Sequence, residues 1–211
     1  MTDPDLSQAY ALNGPDDCLR LYADWAHSYD DEFAAGMDYQ LPAHTAAALR
    51  GMTLPEGPIL DVGAGTGLLG VALRALGVQA PIDAVDLSPA MLERARQKGL
   101  YRALHIADIT RPLPLHETYA GVVSSGTFTH GHVGPEGLAP LLAVARPGAG
   151  FALSVNAAVW RAKGFAEALD ALGPAIGGLD LREVAIYGAR GQRRDPAHAD
   201  DRALLLRFHK T

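Results

Sequence analysis

Pro58-Ile59-Leu60-Asp61-Val62-Gly63-Ala64-Gly65-Thr66-Gly67-Leu68-Leu69-Gly70 is the stretch whose reading decides the fold. Ile59, Leu60 and Val62 form a short apolar, partly β-branched run stopped by glycine, the pattern of a strand buried inside a parallel sheet. Leu68, Leu69, Val71, Ala72 and Leu73 then take up helical spacing. The change of period puts Gly63, Gly65 and Gly67 on a turn between strand and helix. Without a Cβ these positions accept positive φ and let a ligand approach the backbone closely, so the turn reads as a cofactor site.

Two cofactors compete for it. Gly65 to Gly70 has the glycine spacing of a dinucleotide fingerprint, and Asp86, 21 residues after Gly65, stands where a ribose-binding acid is expected. Asp61 separates the two readings. A carboxylate at the strand's tip repels a pyrophosphate, but attracts the ammonium and sulfonium groups of S-adenosylmethionine, which has no phosphate. The register agrees, because the strand runs directly into Gly63 and leaves Gly70 inside the helix.

The chain of 211 residues fits one domain with a core of its own. Hydrophobic residues make up 48%, yet no apolar run approaches the roughly 18 residues of a membrane span. The acidic, polar start at Met1-Thr2-Asp3 has no signal-peptide character, so a cytoplasmic setting is expected. The single cysteine, Cys18, excludes an internal disulfide and any thiolate zinc cluster. A formal net charge of −6 argues against nonspecific nucleic-acid binding and for a small-molecule partner.

Ahead of the glycine turn, Tyr22, Trp25, Ala26 and Tyr29 recur at helical spacing and form one aromatic face. Asp30-Asp31-Glu32 reads as a solvated acidic face or a contact for a cationic substrate, and a helix is expected over about 42–50. After it, the helix of about 67–76 stops at Gly77. Pro81 to Asp86 is a second strand ending in an acid, followed by a helix capped by Ser88 with Pro89 in its first turn. A third strand lies within Gly99 to Ile109 and ends at Asp108. Asp61, Asp86 and Asp108 then share one sheet edge, where open α/β sheets bind ligands. Tyr119 to Gly126, with Ser124 near its end, is the fourth strand. The loop after it carries His130 and His132, whose near-neutral pKa suits a general base; no further ligands complete a metal site around the pair. A helix over 135–145, a strand over 151–155, a helix over 160–172 and strands over 181–187 and 203–209 follow. A polar loop over 188–202 is expected to move.

Asp61-Val62-Gly63-Ala64-Gly65-Thr66-Gly67 resembles the first motif of class I S-adenosylmethionine-dependent methyltransferases, with Ala64 where Cys is common. Val85-Asp86-Leu87-Ser88-Pro89 with Met91-Leu92 is similar to the family's second strand and helix start, and Arg146-Pro147-Gly148 to its turn before the fifth strand. Tyr119-Ala120 departs from the usual Phe-Asp. Tyr22 to Tyr29, Gly99-Leu100-Tyr101 and Gly126 to Pro135 together resemble the Williams-Beuren-region methyltransferase-like group.

The resemblance implies a Rossmann-like α/β fold, a seven-stranded doubly wound sheet whose last strand lies antiparallel beside the fifth. Residues 1–50 would form a helical cap over the cofactor. It implies S-adenosylmethionine held at Asp61, Gly63, Ala64, Gly65 and Ser124, with the ribose on Asp86. The adenine would lie among Leu87, Met91 and Ile109 with its amino group on Asp108, and Tyr22, Trp25 and Tyr29 would close the methionine end. The implied reaction is direct displacement, a substrate O, N or S atom taking the methyl group, with His130 the candidate base. An NAD-dependent oxidoreductase and a noncatalytic S-adenosylmethionine-binding protein are the competing readings.

Overall fold

The computed structural model describes residues 14–211. The part of the expected 1–50 cap that falls on residues 1–13 lies outside the described residues. At the centre is β1 (Ile59–Val62), every residue of which is buried. Because successive side chains of a strand point to opposite faces, Leu60 and Val62 enter one core cluster and Ile59 enters the other.

The helix α1 (Pro15–Trp25) precedes a six-residue π-helical stretch, Tyr29–Ala34, and α2 (Leu41–Arg50). After β1 come α3 (Leu68–Ala75), β2 (Ile82–Asp86), α4 (Pro89–Gln97) and β3 (Ala103–Ile106). Next are β4 (Tyr119–Phe128), α5 (Leu138–Ala143), β5 (Ala145–Asn156), α6 (Ala157–Ala162) and α7 (Phe165–Leu172). Strand β6 (Ile176–Ala185), helix α8 (Ala189–Arg194) and strand β7 (Arg202–Lys210) end the chain.

The strands form one seven-stranded sheet in the order β3-β2-β1-β4-β5-β7-β6. Strands β1 to β5 pair in parallel, and β7 runs antiparallel to both β5 and β6. That is the expected topology. Strand order reverses beside β1, between β1 and β4, and the crevice outside the strands' carboxyl ends at such a point is where α/β sheets receive ligands. Leu49 of α2 and Leu69 and Leu73 of α3 pack on one face of the sheet; Leu138 and Leu141 of α5 and Phe165 and Leu169 of α7 pack on the other. Phe151 and Phe208, paired across β5 and β7, stack at 4.6 Å and tie the antiparallel strand to the parallel ones.

The departure at Tyr119-Ala120 has a structural counterpart. Tyr119 is fully buried and its hydroxyl donates to Asp83 Oδ2 at 2.9 Å. Arg102 donates to both oxygens of the same carboxylate, at 2.9 and 2.6 Å. A bidentate guanidinium and a phenol satisfy this buried acid at the end of the sheet away from the ligand crevice. They hold its pKa below the usual carboxylate range against the opposing effect of burial.

Three local expectations are corrected. The helix expected over 160–172 is two helices, because Gly164 adopts φ +67° between them. The expected mobile loop over 188–202 contains α8 and a 3-10 turn, and Arg190 and Arg194 of α8 donate to the carbonyls of Ala35 and Glu32. The aromatic face does not lie on one helix: α1 ends at Trp25, and Tyr29 opens the π-helical stretch. The three rings still meet, with Tyr22 5.8 Å from Trp25 and 6.2 Å from Tyr29.

Candidate functional site

A cavity of about 300 Å³ opens at the carboxyl ends of the parallel strands. Its floor is the glycine turn. Gly63, Gly65 and Gly67 all have positive φ, and a Cβ at Gly65 would meet no atom within 4 Å. At Gly63 a Cβ would lie 2.0 Å from Thr127 Oγ1, so glycine there makes room for the loop after β4.

The hydrogen bonds of this turn bear on the choice of ligand. The N–H groups of Gly63 and Ala64 donate to Val85 O, that of Gly67 to Ala64 O, and that of Gly65 to Asp86 Oδ2 at 2.8 Å. A diphosphate on a glycine turn needs such N–H groups free, and these four have acceptors within the protein. The charged residues lining the cavity are Asp86, Asp108 and Glu136, with no Lys or Arg among the described lining residues. Such a site suits a cationic ligand without phosphate.

Asp86 ends β2 and accepts from the backbone N–H of Ser88 through Oδ1 at 2.8 Å, as well as from Gly65. Burial raises its pKa and the backbone donors work against that rise. Asp108 accepts from the N–H and hydroxyl of Thr110 at 2.9 and 2.7 Å, and these bonds outweigh burial and lower its pKa. Gly63, Ala64, Gly65, Leu87, Met91 and Ile109 line the same cavity, with Tyr22 and Tyr29 above them.

Four residues stand elsewhere than expected. Asp61 is fully buried and does not line the cavity. It shares the face of β1 with Ile59, toward α3, where Tyr101 donates its hydroxyl to Oδ2 at 2.7 Å. Burial raises the Asp61 pKa to about 7, and its Oδ1 has no hydrogen-bond partner. Tyr101 also accounts for Gly70, where a Cβ would lie 2.5 Å from the phenol oxygen. Ser124 is buried in the sheet and donates to Val62 O at 2.8 Å, so it braces β4 on β1 rather than facing the cavity. Trp25 is buried behind Tyr22, outside the main cavity, where its ring stacks on Phe33 at 6.0 Å.

His130 lines neither this cavity nor the smaller chamber of about 50 Å³ beside it, whereas His132, two residues on, lines both. The loop is irregular, and the turn at Gly131 (φ +69°) sends the two rings to different surroundings.

Sequence reasoning also missed the contacts that hold the π-helical stretch against the glycine turn. Asp30 accepts from the Thr66 hydroxyl through one oxygen and from Lys98 Nζ at 2.6 Å through the other, while Lys98 also donates to Thr66 O at 2.6 Å. Asp30 is therefore a clasp between the π-helical stretch, the glycine turn and the end of α4. Cys18 Sγ donates to Gly131 O at 3.7 Å, and burial pushes its thiol up to about 11. These bonds join residues far apart in sequence and leave no local pattern.

Residues 59–148 match the model of a methyltransferase domain. The human Methyltransferase-like protein 27 is 37% identical over 151 residues, which are 69% of this chain and 56% of that protein. The chain thus spans little more than half the length of this curated relative. Among solved structures, a putative S-adenosyl-L-methionine-dependent methyltransferase from Methanococcus maripaludis is similar with a TM-score of 0.61 at 16% identity, covering 91% of this chain and 93% of that one. The [4+2]-cyclase SpnF is similar with a TM-score of 0.67 at 18% identity, covering 94% and 97%. At such identities the likeness is one of fold, and a fold hosts more than one chemistry.

Proposed function

We propose that this chain, which belongs to the class I S-adenosylmethionine-dependent methyltransferases, moves the methyl group of S-adenosylmethionine onto an O, N or S atom of a small molecule. The observation that carries the reading is the carboxylate-lined cavity over a glycine turn whose N–H groups at Gly63, Ala64, Gly65 and Gly67 are already used within the protein.

The residues present fit the family's cofactor. Gly65 leaves open space above the backbone. Asp86 keeps lone pairs for two ribose hydroxyls, since each oxygen accepts one backbone N–H. Asp108 would accept from the adenine amino group, and Leu87, Met91 and Ile109 would pack on the ring. Tyr22 and Tyr29 would cover the methionine end, where ring faces attract a cation and exclude water. Asp61 acts indirectly in this account: through Tyr101 it fixes the start of α3 beneath the turn.

When bound, S-adenosylmethionine supplies an electrophilic methyl group on a sulfonium. The chain's own residues contribute alignment and dehydration, which can provide much of a displacement rate without an essential base. The clasp of Asp30 with Thr66 and Lys98 holds the cap over the cavity, so closure and cofactor binding are coupled. A net charge of −6 supports a small acceptor over nucleic acid. A cytoplasmic setting belongs to the same proposal, and its support is compositional. Among the described residues no helix is long and apolar enough to cross a membrane.

The test is incubation of the purified protein with S-adenosylmethionine labelled in the methyl group and a fractionated cell extract. Label recovered in a small molecule other than S-adenosylmethionine and its breakdown products, and absent when the protein is omitted, supports the reading. Label confined to RNA or protein, or none transferred from a protein shown to bind the cofactor, contradicts it.

A further inference from the structure

Strand β6 ends the sheet on the side away from β3, and among the described residues its outer edge pairs with no other strand. Residues 178–183 of it are all exposed, so both faces of the strand are open there. Leu179 and Leu181 are each 43% exposed. A bare edge carrying apolar side chains is a template for a further strand. A bulge between Gly177 and Asp180 bends the strand's start, and from Asp180 to Ala185 the register with β7 is unbroken.

The ladder with β7 decides which backbone groups are available. Ile186 N–H donates to Asp201 O, and that pair continues the register that joins Asp180 to Arg207. In an antiparallel ladder, pairs that exchange hydrogen bonds alternate with pairs that do not. Asp180, Arg182 and Val184 therefore bond inward to β7. Leu181, Glu183 and Ala185 direct their N–H and C=O groups outward.

The side chains choose the guest. Two copies related by a two-fold axis normal to the sheet pair antiparallel, and each residue faces one on the same side of the sheet. An axis at Asp180, Arg182 or Glu183 sets that residue against its own copy, like charge on like, which destabilises a strand pair. An axis at Leu179 falls in the bulge, where Gly178 has φ +67°. An axis at Leu181 joins the two Leu181 residues through two backbone hydrogen bonds, and sets Asp180 of each copy against Arg182 of the other. Asp180 holds Arg207 of its own chain through Oδ2 alone, so its Oδ1 is left for a second guanidinium. Arg182 has no ion-pair partner among the described residues. The second copy supplies the acid.

We propose that the outer edge of β6 receives β6 of a second copy, antiparallel about Leu181, so that the two sheets join into one. The charge sequence Asp180-Leu181-Arg182 is complementary to itself in this register and repels itself in the neighbouring ones. The paired stretch is short, which gives a weak dimer with a Kd on the order of 10–100 µM.

The experiment is sedimentation velocity over protein concentrations of about 1–300 µM, which bracket that Kd. The wild-type chain should pass from monomer to dimer mass across the series. Arg182→Asp sets acid against acid and Asp180→Arg sets base against base, so each alone should dimerise at least tenfold more weakly. An equimolar mixture of the two should dimerise as the wild type does, because opposite charges then face each other at both pairs. Leu181→Pro removes an N–H that faces outward, a place where an edge strand tolerates proline. It should keep the wild-type circular dichroism and remain monomeric. A wild-type monomer at every concentration, leaving the edge to another protein or to residues 1–13, overturns the proposal. So does a dimer that survives Leu181→Pro, or a mixture of the charge variants that stays monomeric.

Discussion

Adding one methyl group at Gly63 and one at Gly65 separates what the glycine turn does for the fold from what it does for the ligand. Both residues have left-handed φ, +61° and +55°, where a Cβ costs about 1–2 kcal/mol. At Gly63 the new methyl would also meet Thr127 Oγ1 at 2.0 Å and Cγ2 at 2.8 Å. Thr127 cannot swing aside without breaking its bond to Val62 O, and overpacking of this kind adds about 1–3 kcal/mol. Gly63→Ala should therefore cost about 2–5 kcal/mol. For a chain of this size that is a fall in Tm of about 4–20 °C. Gly65→Ala meets no atom and carries the strain alone, a fall of about 2–8 °C, but its methyl projects where a ligand approaches. Its affinity for S-adenosylhomocysteine should fall at least about tenfold, or about 1.4 kcal/mol. Thermal melting by circular dichroism and titration calorimetry on both variants provide the measurements. Equal melting of the two variants, or wild-type affinity in Gly65→Ala, would refute the reasoning.

Asp61 has its pKa raised to about 7 by burial, so the folded state holds a proton that the unfolded chain releases near pH 4. The sign follows: stability falls as pH rises from about 4 to 7. Asp61→Asn should remove that slope, seen as a smaller difference in Tm between pH 5 and pH 8 than in the wild type. Lys98→Met opens the half-buried clasp to Asp30, worth about 1 kcal/mol. It should weaken S-adenosylhomocysteine binding about fivefold and speed proteolysis near residues 26–40 in a timed digest. Tyr119→Phe leaves Asp83 paired with Arg102 but short of one donor. It should lower Tm by about 2–8 °C for a loss of about 1–2 kcal/mol and leave ligand affinity within twofold by calorimetry.

The centre of the fold was legible because its signals are local. The switch from strand to helical spacing at Gly63 to Gly67 needs no tertiary information, and neither do Ser88 and Pro89 at the head of α4. The side to which Asp61 points was also written in the sequence, since Ile59 and Asp61 must share a face of β1. Its partner, Tyr101, lies 40 residues away, and only the packed sheet brings the two together. His130 and His132 could not be told apart because an irregular loop has no period from which to read a direction. The short helix α8 has Arg190, Arg193 and Arg194 and no apolar stripe; it is held by the carbonyls of Ala35 and Glu32 far upstream.

The most direct measurement of the central claim is titration calorimetry of the wild-type chain and Asp86→Ala with S-adenosylmethionine, S-adenosylhomocysteine and NAD. The account predicts one site for each of the first two, at least tenfold weaker in Asp86→Ala, and no heat of binding with NAD. Saturable binding of NAD, or affinity for the sulfur nucleosides that survives the loss of the Asp86 carboxylate, would contradict it.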